Sequence, residues 1–452
     1  MALIDAVKAT VNRLKTEMVF LDATFVIKAC LFLRIRVCLE KDTYRKLIIR
    51  FRQERNMTRG VIISMLIFIF SNGFSQEVER QRFYAIDSIV SKYIYEYAIV
   101  GLSIGIVYNN DDFTKQYGTT DLVNNYPVSD NTMFNVASIS KLFTATAIMQ
   151  LVEAGKLNLD DKLCDVLPDF KMKDKRYRDI KISHLLTHSS GLMWDNKLKE
   201  SPDDTTSISL CIQNLSNKKL NFSPGEEMSY RTYSNAAYDL LGMVIEKISG
   251  KRFDEYIEQN ILQPVKMYRS TYYYEDIDAS YLAIPQIVAG NSKSIKRLNT
   301  FGIDSKRKPV LNERPVNLKS YEVYSEDYEH NPSGNLISSA YELNLWMQYN
   351  LRMYSDTTFN GNLNRHTLSE MWTMQREIPG KKTSIGWGWW IYNDDELGKS
   401  VFHVGNNPGF CCILMMYPEQ KFGITVLCNG SYAQKAIWNS LTKEIATLFI
   451  GS

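Results

Sequence analysis

Phe134-Asn-Val-Ala-Ser-Ile-Ser-Lys141 opens a long apolar-periodic segment and places Ser138 three residues ahead of Lys141. That spacing at a helix start puts a hydroxyl and an amine on one face, one turn apart. The residues that follow keep helical period, with Leu142, Phe143, Ala145, Ile148, Leu151 and Val152 as a buried stripe and Gly155 as the stop. A serine there gains twice. The positive end of the helix favours negative charge near its oxygen, and a lysine depressed by burial can take its proton. Taken alone, Ser-x-x-Lys is a weak signal, since a helix start with a solvated lysine reads the same way.

Two later segments change its weight. Tyr233-Ser234-Asn235 stands just ahead of another amphipathic helix, and Val401-Phe-His-Val-Gly-Asn-Asn-Pro-Gly409 reads as a strand edge followed by a turn. The order Ser-x-x-Lys, Tyr-x-Asn, His-x-Gly resembles the serine β-lactamase and penicillin-binding-protein superfamily, in particular its class C-like branch of D-alanyl-D-alanine carboxypeptidases, D-aminopeptidases and esterases. Segments between them are similar to that family as well: His184-Leu-Leu-Thr-His-Ser-Ser-Gly-Leu192, Phe222-Ser-Pro-Gly225, Pro332-Ser-Gly-Asn-Leu336 and Gly386-Trp-Gly-Trp389. The resemblance runs from about Ile94 to Leu448.

The resemblance implies Ser138 as the nucleophile of an acyl-enzyme and Lys141 as the base that activates it. Tyr233 would relay a proton to the leaving group and later activate water. A phenol near its ordinary pKa of about 10 needs a cationic neighbour for that task, and Lys141 is the candidate. Asn235 would orient the substrate carbonyl. By the same analogy, the backbone N–H groups of Ser138 and Asn406 form the oxyanion hole, worth about 3–4 kcal/mol per donor.

The third motif departs from the β-lactamase form. Those enzymes usually carry Lys-Thr/Ser-Gly, which helps hold a substrate carboxylate, whereas this chain has His403-Val404-Gly405. Histidine is a poorer fixed cation and valine has no hydroxyl to donate. The change ranks β-lactam hydrolysis below peptidase or esterase activity. His403 is either a contributor to leaving-group proton transfer or a structural strand histidine.

Other signals lead elsewhere. Gly101-Leu-Ser-Ile-Gly105 matches the nucleophile-elbow pattern, but that motif needs a strand, a sharp turn and a helix. Here it sits in an apolar run followed by Asn109-Asn-Asp-Asp112 and a second strand-like run, which makes a hairpin with Ser103 as a packed small residue. His184 and His188 have metal-ligand spacing without a third ligand, and the resemblance places them at a helix end and its turn closed by Gly191, so no metal or cofactor is expected.

Residues 57–75 have the form of a secretory signal peptide, with Arg59, an apolar core from Val61 to Phe70, and small residues Gly73 and Ser75 before Gln76. That core is short for a membrane span of about 20 residues. Residues 1–56 then read as a doubtful N-terminal extension with Met57 as the initiator, residues 76–452 as the functional domain, and the protein as exported, periplasmic or extracellular, with no stable membrane span after cleavage. Net charge is +3, with 53 basic against 50 acidic residues, which gives no case for nucleic-acid binding. Seven cysteines lack Cys-x-x-Cys spacing, and the adjacent Cys411 and Cys412 should face opposite sides of a strand.

Periodicity supplies the architecture. A first helix is expected over 76–94 with Tyr84, Ile86, Ile89, Val90 and Tyr93 on one side, then two strands over 98–117. Strands over 387–392, 400–404, 411–417 and 423–427 precede a last helix capped by Ser431. Ser339 and Glu342 have capping-box spacing. The fold expected is α/β of the α+β kind: an antiparallel sheet built from both chain ends, flanked by helices, with a mainly helical subdomain over about 138–351. Residues 273–330 read as a surface insertion in which Tyr321, Tyr324 and Tyr328 could line a pocket. The function expected is an exported serine hydrolase acting on a D-amino-acid peptide or a small ester. A β-lactamase and a non-catalytic binding or sensor protein of the same fold are the alternatives.

Overall fold

A computed structural model describes residues 81–192, 215–226, 232–288, 318–320 and 330–451. The segment expected to be a signal peptide, residues 1–56 before it, and Tyr321, Tyr324 and Tyr328 lie outside the described residues. Residues Ile86–Ser452 form a compact unit that carries the sheet and the candidate site.

A helix, α1, spans 81–97 and buries Ile86, Val90 and Tyr93 along one side, while Tyr84 is 67% exposed and lies off that stripe. Strands β1 (Gly101–Tyr108) and β2 (Asp111–Gly118) follow as a hairpin. Its turn is Asn109-Asn110, both with positive φ, the two-residue connection whose twist suits antiparallel strands. Ser103 is buried in β1, as expected for a packed small residue.

The rest of the main sheet comes from the far end of the chain: β5 (Arg376–Glu377), β6 (Thr383–Ile385), β7 (Trp390–Asp394), β8 (Gly398–Asn407), β9 (Phe410–Tyr417) and β10 (Phe422–Cys428). The order is β2-β1-β10-β9-β8-β7-β6-β5, all antiparallel, so the two chain ends meet where Leu102 pairs with Cys428. The expected sheet is present. The strand expected to begin at Trp387 begins at Trp390, because Gly386 sits against the Met371 carbonyl and Gly388 turns with φ +84.

Alternation along the strands sends side chains into two cores. Ile104, Ile106, Cys411, Ile413 and Val426 pack with α1 and with the C-terminal helix α7 (Thr442–Ile450). Val107, Val401, Cys412, Leu414 and Leu427 pack on the other face with the helical part of the chain. Cys411 and Cys412 thus do face opposite sides. Ser431 does not cap the last helix; it begins a short 3₁₀ turn, and its Oγ accepts the Gly409 N–H at 3.2 Å.

Helices of the second core include α2 (Ser140–Glu153), α3 (Ile182–Leu186), α4 (Asn235–Ser249), α5 (Asn331–Gly334) and α6 (Ala340–Ser355). Helix α2 stops where Gly155 turns with φ +67, as its sequence requires. It is buried nearly all round rather than along a stripe, with Thr144 and Thr146 enclosed as well as its apolar residues. Helix α6 lies so close to β1 that a Cβ on Gly105 would meet Asn344 Oδ1 at 2.2 Å. Ser339 caps α6 by accepting the Glu342 N–H at 3.1 Å. The Glu342 carboxylate accepts from Arg269 N and Ser270 Oγ instead, so half of the expected capping box forms.

Candidate active site

The segment quoted first forms a two-residue strand β3 (Phe134–Asn135) and a 3₁₀ turn over Ala137–Ile139, directly ahead of α2. Strand β3 pairs with β4 (Ile337–Ser338). Ala137 takes φ +51, a left-handed conformation that costs an alanine about 1–2 kcal/mol. Asn135 compensates: its Oδ1 accepts the Ala137 N–H at 2.9 Å and Asn407 Nδ2 at 2.9 Å, joining the turn to the end of β8. Ser140 Oγ donates to the Ala137 carbonyl at 2.6 Å and accepts the Leu336 N–H at 3.0 Å. A turn braced on three sides holds its strain, and it lifts one side chain out of the core. Between Thr132 and Met149 every residue is buried except Ser138.

Lys141 is fully buried beneath that serine. Its Nζ lies 3.1 Å from Ser138 Oγ, 2.8 Å from Asn235 Oδ1 and 2.5 Å from the Ser333 carbonyl. Burial pushes the amine down from its ordinary 10.5 to about 7, against the opposing pull of the Asp239 carboxylate. At neutral pH a large share of Lys141 is therefore a free amine within reach of a hydroxyl.

Tyr233 and Asn235 reach the lysine because Ser234 caps α4, its Oγ accepting the Ala237 N–H at 3.2 Å. Asn235 is the first residue of the helix and Tyr233 the residue before the cap. The Tyr233 hydroxyl is hydrogen-bonded to Ser138, and the Lys141 ammonium position is 4.9 Å from its ring centre. Burial pushes the Tyr233 phenol well above its ordinary 10 even so. The expected lowering by a cationic neighbour does not occur. Lys141 gives up charge in the same dry surroundings and sits over the ring face, so desolvation of a phenolate dominates.

His403 lies on β8, 1% exposed, with Nδ1 donating to the Val404 carbonyl at 2.8 Å. Burial, with the Lys141 charge as a smaller cause, lowers it from 6.5 to about 3. A neutral imidazole therefore stands where the β-lactamase form of the motif has a cation. Gly405 comes next on the same face, and a Cβ there would meet the Val136 carbonyl at 2.2 Å and Ala137 Cβ at 3.2 Å. Glycine lets the strand edge touch the nucleophile turn. Asn406 follows on that edge, half-buried and paired in register with Cys411.

The structure brings Ser138, Lys141, Tyr233 and Asn235 into one contact set and lays His403, Gly405 and Asn406 along its border. It adds His188, whose ring centre is 4.2 Å from that of Tyr233 and whose Nδ1 accepts the Ser234 N–H at 3.2 Å. His188 sits in a turn just beyond α3 at φ +54, and burial holds its imidazole neutral. Its signal lay within the His184–Leu192 segment, which the resemblance places at a helix end and its turn, and the histidine lies in that turn, two residues past α3. Trp390 on β7 stacks on both rings, at 6.4 Å from Tyr233 and 6.2 Å from His188. Among the described residues no cluster of His, Cys, Asp and Glu could hold a metal ion.

This chain belongs to the Beta-lactamase family, whose sequence model matches residues 86–446. It is similar to Protein flp of Staphylococcus aureus (strain MW2), 27% identical over 361 residues, which are 78% of this chain and 64% of that relative's length. This chain thus spans under two thirds of that protein. Among solved structures it is similar to the octameric penicillin-binding protein homologue from Pyrococcus abyssi, with a TM-score of 0.63 and 25% identity over 80% of this chain and 75% of the other. A class C beta-lactamase shares the fold with a TM-score of 0.63 and 18% identity, over 82% of this chain and 97% of the other. The serine β-lactamase and penicillin-binding-protein superfamily is therefore the one to which both fold and sequence assign the chain.

Proposed function

We propose that this protein is an exported serine hydrolase that forms an acyl-enzyme on Ser138 and cleaves a D-amino-acid-type peptide bond or a small carboxylic ester. The observation that carries the reading is the buried Lys141 amine, depressed to about 7 and 3.1 Å from the half-exposed Ser138 hydroxyl. Ser138 Oγ attacks the substrate carbonyl carbon as its proton passes to Lys141 Nζ, and the carbonyl oxygen becomes the oxyanion held by the Ser138 and Asn406 N–H groups. Tyr233, kept as a phenol by burial, holds a proton next to Ser138 and delivers it to the departing amine or alkoxide. It recovers that proton from Lys141. Asn235 has its Oδ1 engaged by Lys141, which leaves Nδ2 to donate to the substrate. Water then enters and the same groups run in reverse to release the acid.

The neutral His403 and the valine after it favour substrates that do not depend on a fixed cation for a terminal carboxylate. That supports ranking peptides and esters ahead of β-lactams. Export rests on the signal-like segment over 57–75.

The test is hydrolysis of a short-chain p-nitrophenyl ester, a D-alanyl peptide series and a chromogenic cephalosporin by protein spanning Gln76 to Ser452, beside its Ser138→Ala variant. Ester or peptide turnover falling by at least about 10³-fold in the variant is expected. Rapid cephalosporin turnover would establish the β-lactamase reading instead. No turnover of any of the three, with no acyl mass increment on Ser138, would establish the binding-protein reading.

A further inference from the structure

The carboxylate whose charge acts on the buried lysine has no part in the chemistry above. Asp239 is one helical turn beyond Asn235 on α4, on the same face, and is completely buried. Its Oδ2 lies 2.9 Å from His330 Nδ1, and its Oδ1 has no hydrogen-bond partner among the described residues. His330 immediately precedes α5, the short helix whose Ser333 carbonyl accepts from Lys141. The next contacts press the same helix inward: Thr144 Oγ1 on α2 donates to the Pro332 carbonyl at 2.7 Å, and a Cβ on Gly242 of α4 would meet Pro332 Cγ at 2.2 Å. Helix α5 is thus wedged between α2 and α4, with the His330–Asp239 contact closing one side.

We propose that Asp239 and His330 form a positioning pair for Lys141: they tie together the two elements that grip its amine from beyond Ser138, and the Asp239 carboxylate sets the protonation of that amine. The proposal rests on the reading of Lys141 as the base. A buried carboxylate beside an active-site amine is costly to desolvate, and the His330 contact is placed to hold it there. The groups facing Lys141 are the Ser138 hydroxyl from the nucleophile turn, Tyr233, Asn235, Tyr238 and Asp239 from α4 and its cap, His188 from the turn after α3, His403 from β8, and Ser333 from α5, while His330 faces Asp239. His188 and His403 are neutral by burial and the tyrosines are phenols. Among the described residues Asp239 is the anion that acts on Lys141, and its field favours the ammonium form. Burial alone would carry the amine further down. The carboxylate keeps it near the working range, and His330 limits how far that pull extends.

The experiment is an NMR titration of Lys141 in protein labelled with ε-¹³C-lysine, assigned by loss of the resonance in Lys141→Arg, alongside the pH dependence of p-nitrophenyl ester hydrolysis. Asp239→Asn keeps the shape and removes the charge. Its Lys141 midpoint should fall by roughly half a unit to one unit, with the acid limb of kcat/KM following by the same amount. His330→Ala leaves the carboxylate uncompensated and should move the midpoint up, a reversal that loss of packing would not produce. An unchanged midpoint in a folded Asp239→Asn protein overturns the proposal. Should that variant not fold, an unchanged or lowered midpoint in His330→Ala overturns it. If the midpoints move as expected while the limb of hydrolysis stays fixed, the pair stands and the assignment of Lys141 as base fails.

Discussion

The Ser138–Lys141 turn and the His403–Asn406 strand edge border one site, yet they reach it by different physics. The turn is local. Its two reactive groups are three residues apart, a helix start fixes their spacing, and burial of the intervening segment tunes the amine. The strand edge is set by tertiary packing. His403 carries a titratable ring, but the same burial that activates Lys141 leaves that ring neutral and donating to its own neighbour's carbonyl. One dry environment thus produces a base from a lysine and an inert wall from a histidine, because the two groups start from ordinary pKa values of about 10.4 and 6.5. A fall of similar size brings the first into the physiological range and takes the second out of it.

That contrast can be broken at the strand. Gly405→Ala should have the larger effect of two substitutions there. The new Cβ meets the Val136 carbonyl at 2.2 Å, so either the strand edge or the nucleophile turn must move. Overpacking of this kind costs about 1–3 kcal/mol, and a shift approaching 1 Å at the reacting atoms costs on the order of 10²-fold in kcat. Thermal melts and ester kinetics on the same preparation check both numbers, and full activity would show that the turn does not depend on this close contact. His403→Gln should do much less. It replaces one neutral side chain by another, and kcat/KM should stay within about tenfold with its pH midpoint unmoved. Loss of a titration between pH 6 and 7 in that variant would make His403 an active acid or base and erase the distinction between the two regions.

The turn was legible in the sequence because its information is short-range. So were the hairpin turn at Asn109-Asn110 and the alternation that sent Cys411 and Cys412 to opposite cores. What escaped depends on contacts between distant segments. Strands β5 and β6 are only two and three residues long, too short for a period, yet Ile385 of β6 packs with Tyr233 and Trp390. The turn that holds His188 was legible, but its packing against the Tyr233 ring was not. The protonation of Tyr233 was misjudged in direction, since proximity to a lysine is readable from motif order and the shared burial is not. Asp239 and His330 are 91 residues apart and carry no spacing signal at all. Glu342 was read as a helix cap and instead braces Arg269 and Ser270 from another segment.

A buried Lys141 amine, depressed to about 7, activates Ser138. Stopped-flow measurement of Ser138 acylation by a p-nitrophenyl ester from pH 5 to pH 9 tests it most directly. Protonation of the amine removes the base, so the rate should fall about tenfold per unit below the midpoint and level off above it. The midpoint should lie near 7, and Lys141→Met should lose the limb together with at least about 10²-fold of the rate. A rate independent of pH across that range, or a Lys141→Met protein that keeps the wild-type rate and profile, would contradict the account.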